Sequence, residues 1–167
     1  MSSDLPVEKK FKILTEITRA SHFAWRQAAL ECCPGVDAQA LVNRMWDITG
    51  VQTGTAYLKR LDPKGDLAQQ VAGAIVWSSQ SMGEDAHLVK GAAPGEWHVK
   101  HEGCPWHAWH DRLGLLPEDR PGCDQWFSAT VRTINEKLGT KLRFETVKAL
   151  PDGDDCCLRR FWVEQAK

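Results

Sequence analysis

Tyrosine is almost missing from this chain, with one residue against eight tryptophans in 167 positions. Charge of one sign is missing too. The formal net charge is −1, so no basic footprint points to nucleic acid or to an acidic membrane. Long apolar runs are absent. The longest, Val71 to Trp77, is far too short to span a bilayer. The first ten residues, M-S-S-D-L-P-V-E-K-K, lack the charged-then-apolar pattern of a secretory leader. These absences predict a cytoplasmic protein with a small-molecule substrate or ligand, no nucleic-acid partner and no membrane partner; homo-oligomers stay open. In that compartment the six cysteines read as thiols or ligands, not as a disulfide framework. No repeat, low-complexity linker or long charge block divides the chain.

What is present concentrates in the second half. Between Trp97 and His110 stand four of the six histidines, His98, His101, His107 and His110, with Cys104 and three tryptophans. Cys123, Cys156 and Cys157 follow. The tryptophan excess has two readings: a core that uses indoles, or an aromatic-lined ligand cavity.

Periodicity predicts a long helix over Leu5 to Cys33, stopped by Pro34-Gly35. Asp37 caps a second helix, carrying Leu41, Met45, Ile48, Val51 and Tyr57, with Gly50 and Gly54 loosening its middle. Asp66 caps a third, Leu67 to about Ser81. Short strands follow at Ala86–Lys90 and Glu96–Lys100. Pro105 suits the first turn of a helix to about Leu113. Cys123 to Leu138 is another helix, ended by Gly139. A hairpin closes the chain, with Leu142 to Ala149 and Cys157 to Glu164 joined by Pro151-Asp152-Gly153-Asp154. The expected fold class is α+β: N-terminal helices packed beside an antiparallel sheet of two hairpins with interspersed helices. Residues 1–167 are expected to form one domain, mainly helical over 1–82 and α+β over 83–167.

The tail L-R-F-E-T-V-K-A-L-P-D-G-D-D-C-C-L-R-R-F, preceded by G-C-P-W-H-A-W and by Cys123, resembles the L-2-amino-thiazoline-4-carboxylic acid hydrolase family. The resemblance implies hydrolysis of a cyclic C=N bond to an N-carbamoyl amino acid. It places Cys104 at the family's Cys-Pro cysteine, Cys123 at a helix-opening cysteine, and Gly153, Asp154 and Cys157 at the hairpin signature. The pattern is distantly similar to 4-vinyl-reductase-type ligand-binding domains, whose cysteines hold zinc. It departs from them at Val147-Lys148-Ala149, where they carry a cysteine. It departs again at Arg159, where an aromatic usually stands two places after the last cysteine.

Three readings of Cys104 stay open. At a helix N-terminus its thiolate is stabilised, and His101 or His107 is placed to take the proton, which suits a nucleophile. With Cys123, Cys157 and His110 it makes a soft ligand set for zinc. It is otherwise a buried apolar cysteine. Strand alternation puts Cys156 and Cys157 on opposite faces, so one joins any cluster. Candidate substrate-binding residues are His22, Trp25 and Arg26 on the first helix, with Arg26 as a carboxylate clamp, and Trp106 and Trp109 as pocket walls. The rival to an enzyme is a small-molecule binding or sensing domain with structural zinc. A third reading is the same scaffold acting on another aromatic or alicyclic acid.

Overall fold

The structure is a computed structural model and describes residues 4–164. Five α-helices and four strands follow in the order α1 (Val7–Cys32), α2 (Ala38–Tyr57), α3 (Leu67–Ser81), β1 (Asp85–Lys90), β2 (Trp97–Gly103), α4 (Pro105–Leu113), α5 (Leu116–Leu138), β3 (Leu142–Lys148) and β4 (Cys157–Val163). The fold class is α+β, as the periodicity predicts. No helix among the described residues is long and apolar enough to cross a membrane.

The two hairpins, β1–β2 and β3–β4, join through β2 and β4 into one antiparallel sheet of order β1-β2-β4-β3. The β2–β4 register sets His101 opposite Cys157, Val99 opposite Arg159 and Trp97 opposite Phe161. On β4 the burial alternates, with Cys157, Arg159 and Phe161 inward. The core lies between this sheet face and helices α3 and α5. Val71 and Ile75 come from α3, Phe127 and Ile134 from α5, and Val99, Leu142 and Phe161 from the sheet.

The caps follow the sequence. Asp37 accepts from the Gln39 and Ala40 amides, and Asp66 from the Gln69 amide. Two expectations change. Gly50 and Gly54 do not loosen α2; both are buried where α2 meets α5. A Cβ on Gly50 would stand 2.6 Å from the Trp126 carbonyl oxygen, and one on Gly54 2.8 Å from that of Thr130. The Thr130 hydroxyl donates to the Gly50 carbonyl at 3.2 Å. The last long helix begins at Leu116, so Cys123 lies inside it and does not open it. Pro117 falls in the first turn, where a missing N–H costs nothing, and the helix runs on through Pro121.

Candidate active site

A cavity of about 370 Å³ opens between α2, α4, α5 and the inner end of the sheet. Its size suits a small ring compound. From α2 it takes Met45, Trp46, Thr49 and Thr53; from α5, Asp119, Cys123, Trp126 and Phe127. The N-cap and body of α4 supply Cys104, His107 and His110, and β4 supplies Cys157 and Arg159. His22 of α1, Glu84 and His101 complete it.

The histidines are held individually. The Asp119 carboxylate lies 3.1 Å from His107 Nδ1 and 3.9 Å from His110 Nδ1. His110 Nδ1 donates to the Trp106 carbonyl at 2.9 Å. His101 is buried; its Nε2 lies 3.0 Å from Ser79 Oγ and 3.1 Å from Glu84 Oε2, and its Nδ1 has no partner among the described residues. Glu84 also accepts from Trp106 Nε1 at 3.1 Å, which ties the start of α4 to the end of α3. The His22 ring packs edge-on against Trp106, with ring centres 5.4 Å apart, and lies 5.2 Å from that of Trp46. Burial, with smaller contributions from His110 and Arg26, pushes His22 down to about 4.

All six cysteines are free. Cys104 is the N-cap residue of α4, as its Pro105 neighbour predicts. Its thiol is not the stabilised thiolate that this position suggests. Burial, reinforced by Glu84, raises it well above the ordinary thiol range, and the His107 backbone N–H opposes this without prevailing. Burial pushes the Cys123 thiol up to about 12, against the pull of Arg159.

The expected zinc set is not gathered. Cys104, Cys123, Cys157 and His110 line one cavity, but no three of their ligand atoms lie within 4.8 Å of one another. The reason is Arg159. Its Nη2 donates to Cys123 Sγ at 3.2 Å, so a cation already stands at that sulfur. The residues present do not fit a zinc site here. Among the described residues, the one trio of potential ligands within that reach is Asp85, His87 and Glu102, exposed on the outer sheet. There Lys100 already neutralises Glu102.

The expected substrate-binding set divides. His22 and Trp106 line the cavity. Trp25 does not; it is 76% exposed, because α1 turns that face to solvent. Arg26 is already taken, its Nε donating to Glu118 at 2.7 Å and its Nη2 to the same carboxylate. Trp109 braces α1 from outside the cavity, stacking on Phe23 with centres 5.5 Å apart and donating to Glu16 at 3.2 Å. Arg159, Asp119 and Glu84 were missed from the sequence.

With this geometry in place, the comparisons with known proteins decide the family. The model of L-2-amino-thiazoline-4-carboxylic acid hydrolase matches residues 12–161. The chain belongs to that family. Curated proteins yield no match. Among solved structures, a trafficking protein particle complex subunit 3 from Naegleria fowleri, covalently bound to palmitic acid, is similar with a TM-score of 0.56 and 15% identity. The match covers 92% of this chain and 97% of that one. The phenol-responsive sensory domain of the transcription activator PoxR, with phenol, is similar with a TM-score of 0.54 and 12% identity. It covers 87% of this chain and 74% of that one. Identities this low establish a shared fold alone.

Proposed function

We propose that this protein is a hydrolase of small cyclic carboxylic acids, adding water across a ring C=N bond so that the ring opens. The observation that carries the reading is His107, held by Asp119 at 3.1 Å in the wall of a cavity otherwise rich in tryptophan. When Asp119 accepts from Nδ1–H, the lone pair is on Nε2, the tautomer a general base needs. In this scheme Nε2 removes a proton from water as the oxygen adds to the C=N carbon. The imidazolium gives that proton to the ring nitrogen, and the imidazole then carries the remaining hydroxyl proton to the ring sulfur as the C–S bond breaks and the carbonyl forms, leaving an N-carbamoyl product with a free thiol. Cys104 enters as a neutral thiol beside the reacting centre. The aromatic walls exclude bulk water and strengthen every charge interaction inside.

The test is turnover of L-2-amino-thiazoline-4-carboxylate and related ring acids, followed by product mass. His107→Ala is expected to lower kcat by about 10²–10⁴, whereas Cys104→Ser keeps most of it. Loss of all turnover in Cys104→Ser, with an adduct trapped on Cys104 in the wild type, would make the thiol the nucleophile. A wild type that turns over none of these acids sinks the proposal.

The aromatic walls favour one other reading, a binder of small aromatic molecules, and the PoxR sensory domain of similar fold was solved with phenol. Saturable binding of phenol or benzoate without any turnover would favour that reading.

A further inference from the structure

We propose that Arg159 is the anion subsite of the cavity and takes the carboxylate of the substrate. This rests on the cavity being where the substrate sits, and it names the feature by which a substrate is selected.

A guanidinium stays charged under all ordinary conditions, and a buried charge is costly without a paired anion. Arg159 is 2% exposed and lines the cavity. Its direct partners are poor. Nη2 donates to Cys123 Sγ, the Cys157 thiol is a second side-chain partner, and thiol sulfur is a weak acceptor. The guanidinium carbon lies 4.9 Å from the centre of the Phe127 ring. Nε has no partner among the described residues. The nearest carboxylate oxygen, on Asp124, is 3.9 Å away, beyond hydrogen-bond reach. Asp124 is also engaged elsewhere: it accepts from Thr146 Oγ1 at 2.7 Å and from Arg120 Nε at 3.4 Å.

Buried Arg19, whose Nε likewise has no partner among the described residues, and half-buried Arg26 are treated differently. Arg19 bonds Glu16 at 2.7 Å and the Met82 carbonyl at 2.8 Å. Arg26 is clamped by both oxygens of Glu118. Arg159 alone of these three lacks a carboxylate within hydrogen-bond distance, and it alone lines the cavity. The cavity's own acids are already bonded, Glu84 to His101 and Trp106 and Asp119 to His107. An incoming carboxylate, with two oxygens to match the fork of the guanidinium, supplies what the fold leaves out.

The experiment compares acid–amide pairs on the full chain: L-2-amino-thiazoline-4-carboxylate with its carboxamide, and benzoate with benzamide. Binding is read by calorimetry on wild type, Arg159→Met and Arg159→Lys. Wild type is expected to prefer each acid about 10- to 100-fold. Arg159→Met should bind acid and amide alike, and Arg159→Lys should recover part of the preference. Circular dichroism and a thermal melt establish that each variant is folded. Equal binding of acid and amide by wild type overturns the proposal, as does a preference that survives in folded Arg159→Met. If Arg159→Met does not fold, the wild-type ratio and Arg159→Lys decide. Thiolate absorbance in wild type at neutral pH that disappears in Cys123→Ala would also overturn it, because Arg159 would then already hold an anion. Turnover is scored apart from binding. Arg159-dependent binding without ring opening leaves the subsite standing and removes the proposed reaction, and the reverse result removes the subsite alone.

Discussion

Cys104 occupies a position where a helix terminus lowers a thiol's pKa, yet burial beside Glu84 raises it. The dipole contributes about 0.3–1 kcal/mol at most exposed sites, and desolvation of a buried anion exceeds that readily. The consequence is measurable. Iodoacetamide at neutral pH should modify the exposed Cys32 and Cys33 first, and the half-buried Cys104 and Cys123 more slowly because their thiols stay protonated. Site-resolved mass spectrometry checks this, and Cys104 reacting as fast as Cys32 would contradict it. The residues that matter here were partly legible. The density of histidine and cysteine around Cys104 pointed to a segment that lines the cavity, and strand alternation parted Cys156 from Cys157, with the family resemblance choosing Cys157. The same alternation puts Arg159 inward, two places on, between Cys157 and Phe161. An arginine in a row of inward residues was the available signal, and it passed as a departure from a related pattern. Asp119 and Glu84 gave no signal, because their role comes from contacts made by distant elements.

At the scale of elements, periodicity and caps located every helix and both hairpins, and the errors fall where tertiary contact overrides local preference. The expected helix starts at Cys123, yet α5 starts at Leu116 and passes through Pro117, Pro121 and Gly122. Gly122 lies against the Trp46 indole, where a Cβ would come within 2.6 Å of Cδ1. The α2–α5 packing thus extends the helix over residues that disfavour it. Two glycine substitutions separate packing from propensity. Gly73→Ala on α3 meets its nearest neighbour, Leu88 Cδ2, at 3.9 Å, an ordinary contact. It should stabilise by about 0.5–1 kcal/mol. Gly50→Ala gains the same propensity but places its Cβ 2.7 Å from that of Ala129. It should destabilise by about 1–3 kcal/mol. Urea denaturation of both variants tests the pair, and equal shifts would contradict the close α2–α5 approach.

For the whole molecule, α1 is the least embedded element. Its buried residues are Thr15, Arg19 and Phe23, while Leu14, Ile17 and Trp25 stay exposed. Arg19, Arg26 and the His22–Phe23 aromatic contacts tie it down. His22 makes that attachment sensitive to acid. Its folded-state pKa lies at about 4, and an unfolded histidine titrates near 6.5. Between those values the unfolded chain binds the extra proton, so stability falls as pH falls. The slope is at most about 1.4 kcal/mol per pH unit, flattening below about pH 4 and vanishing above about pH 7. His22→Phe should remove this contribution. Urea midpoints at about pH 7.5 and about pH 5 for both proteins check it; parallel losses in the two would rule out His22 as the sensor.

The close approach of α2 to α5 through Gly50 and Gly54 fixes the backbone behind the cavity's far wall. That wall cannot retreat as a body, so its shape is written in Met45, Trp46, Thr49 and Thr53. None of these four lies on α4 or β4, where His107, Cys157 and Arg159 stand. Under the proposed function, the residues that shape this wall and those of the proposed reaction therefore come from separate stretches of the chain. If the proposed hydrolysis is the reaction, substitutions at these four positions retune the ring that fits while His107 and Arg159 stay in place.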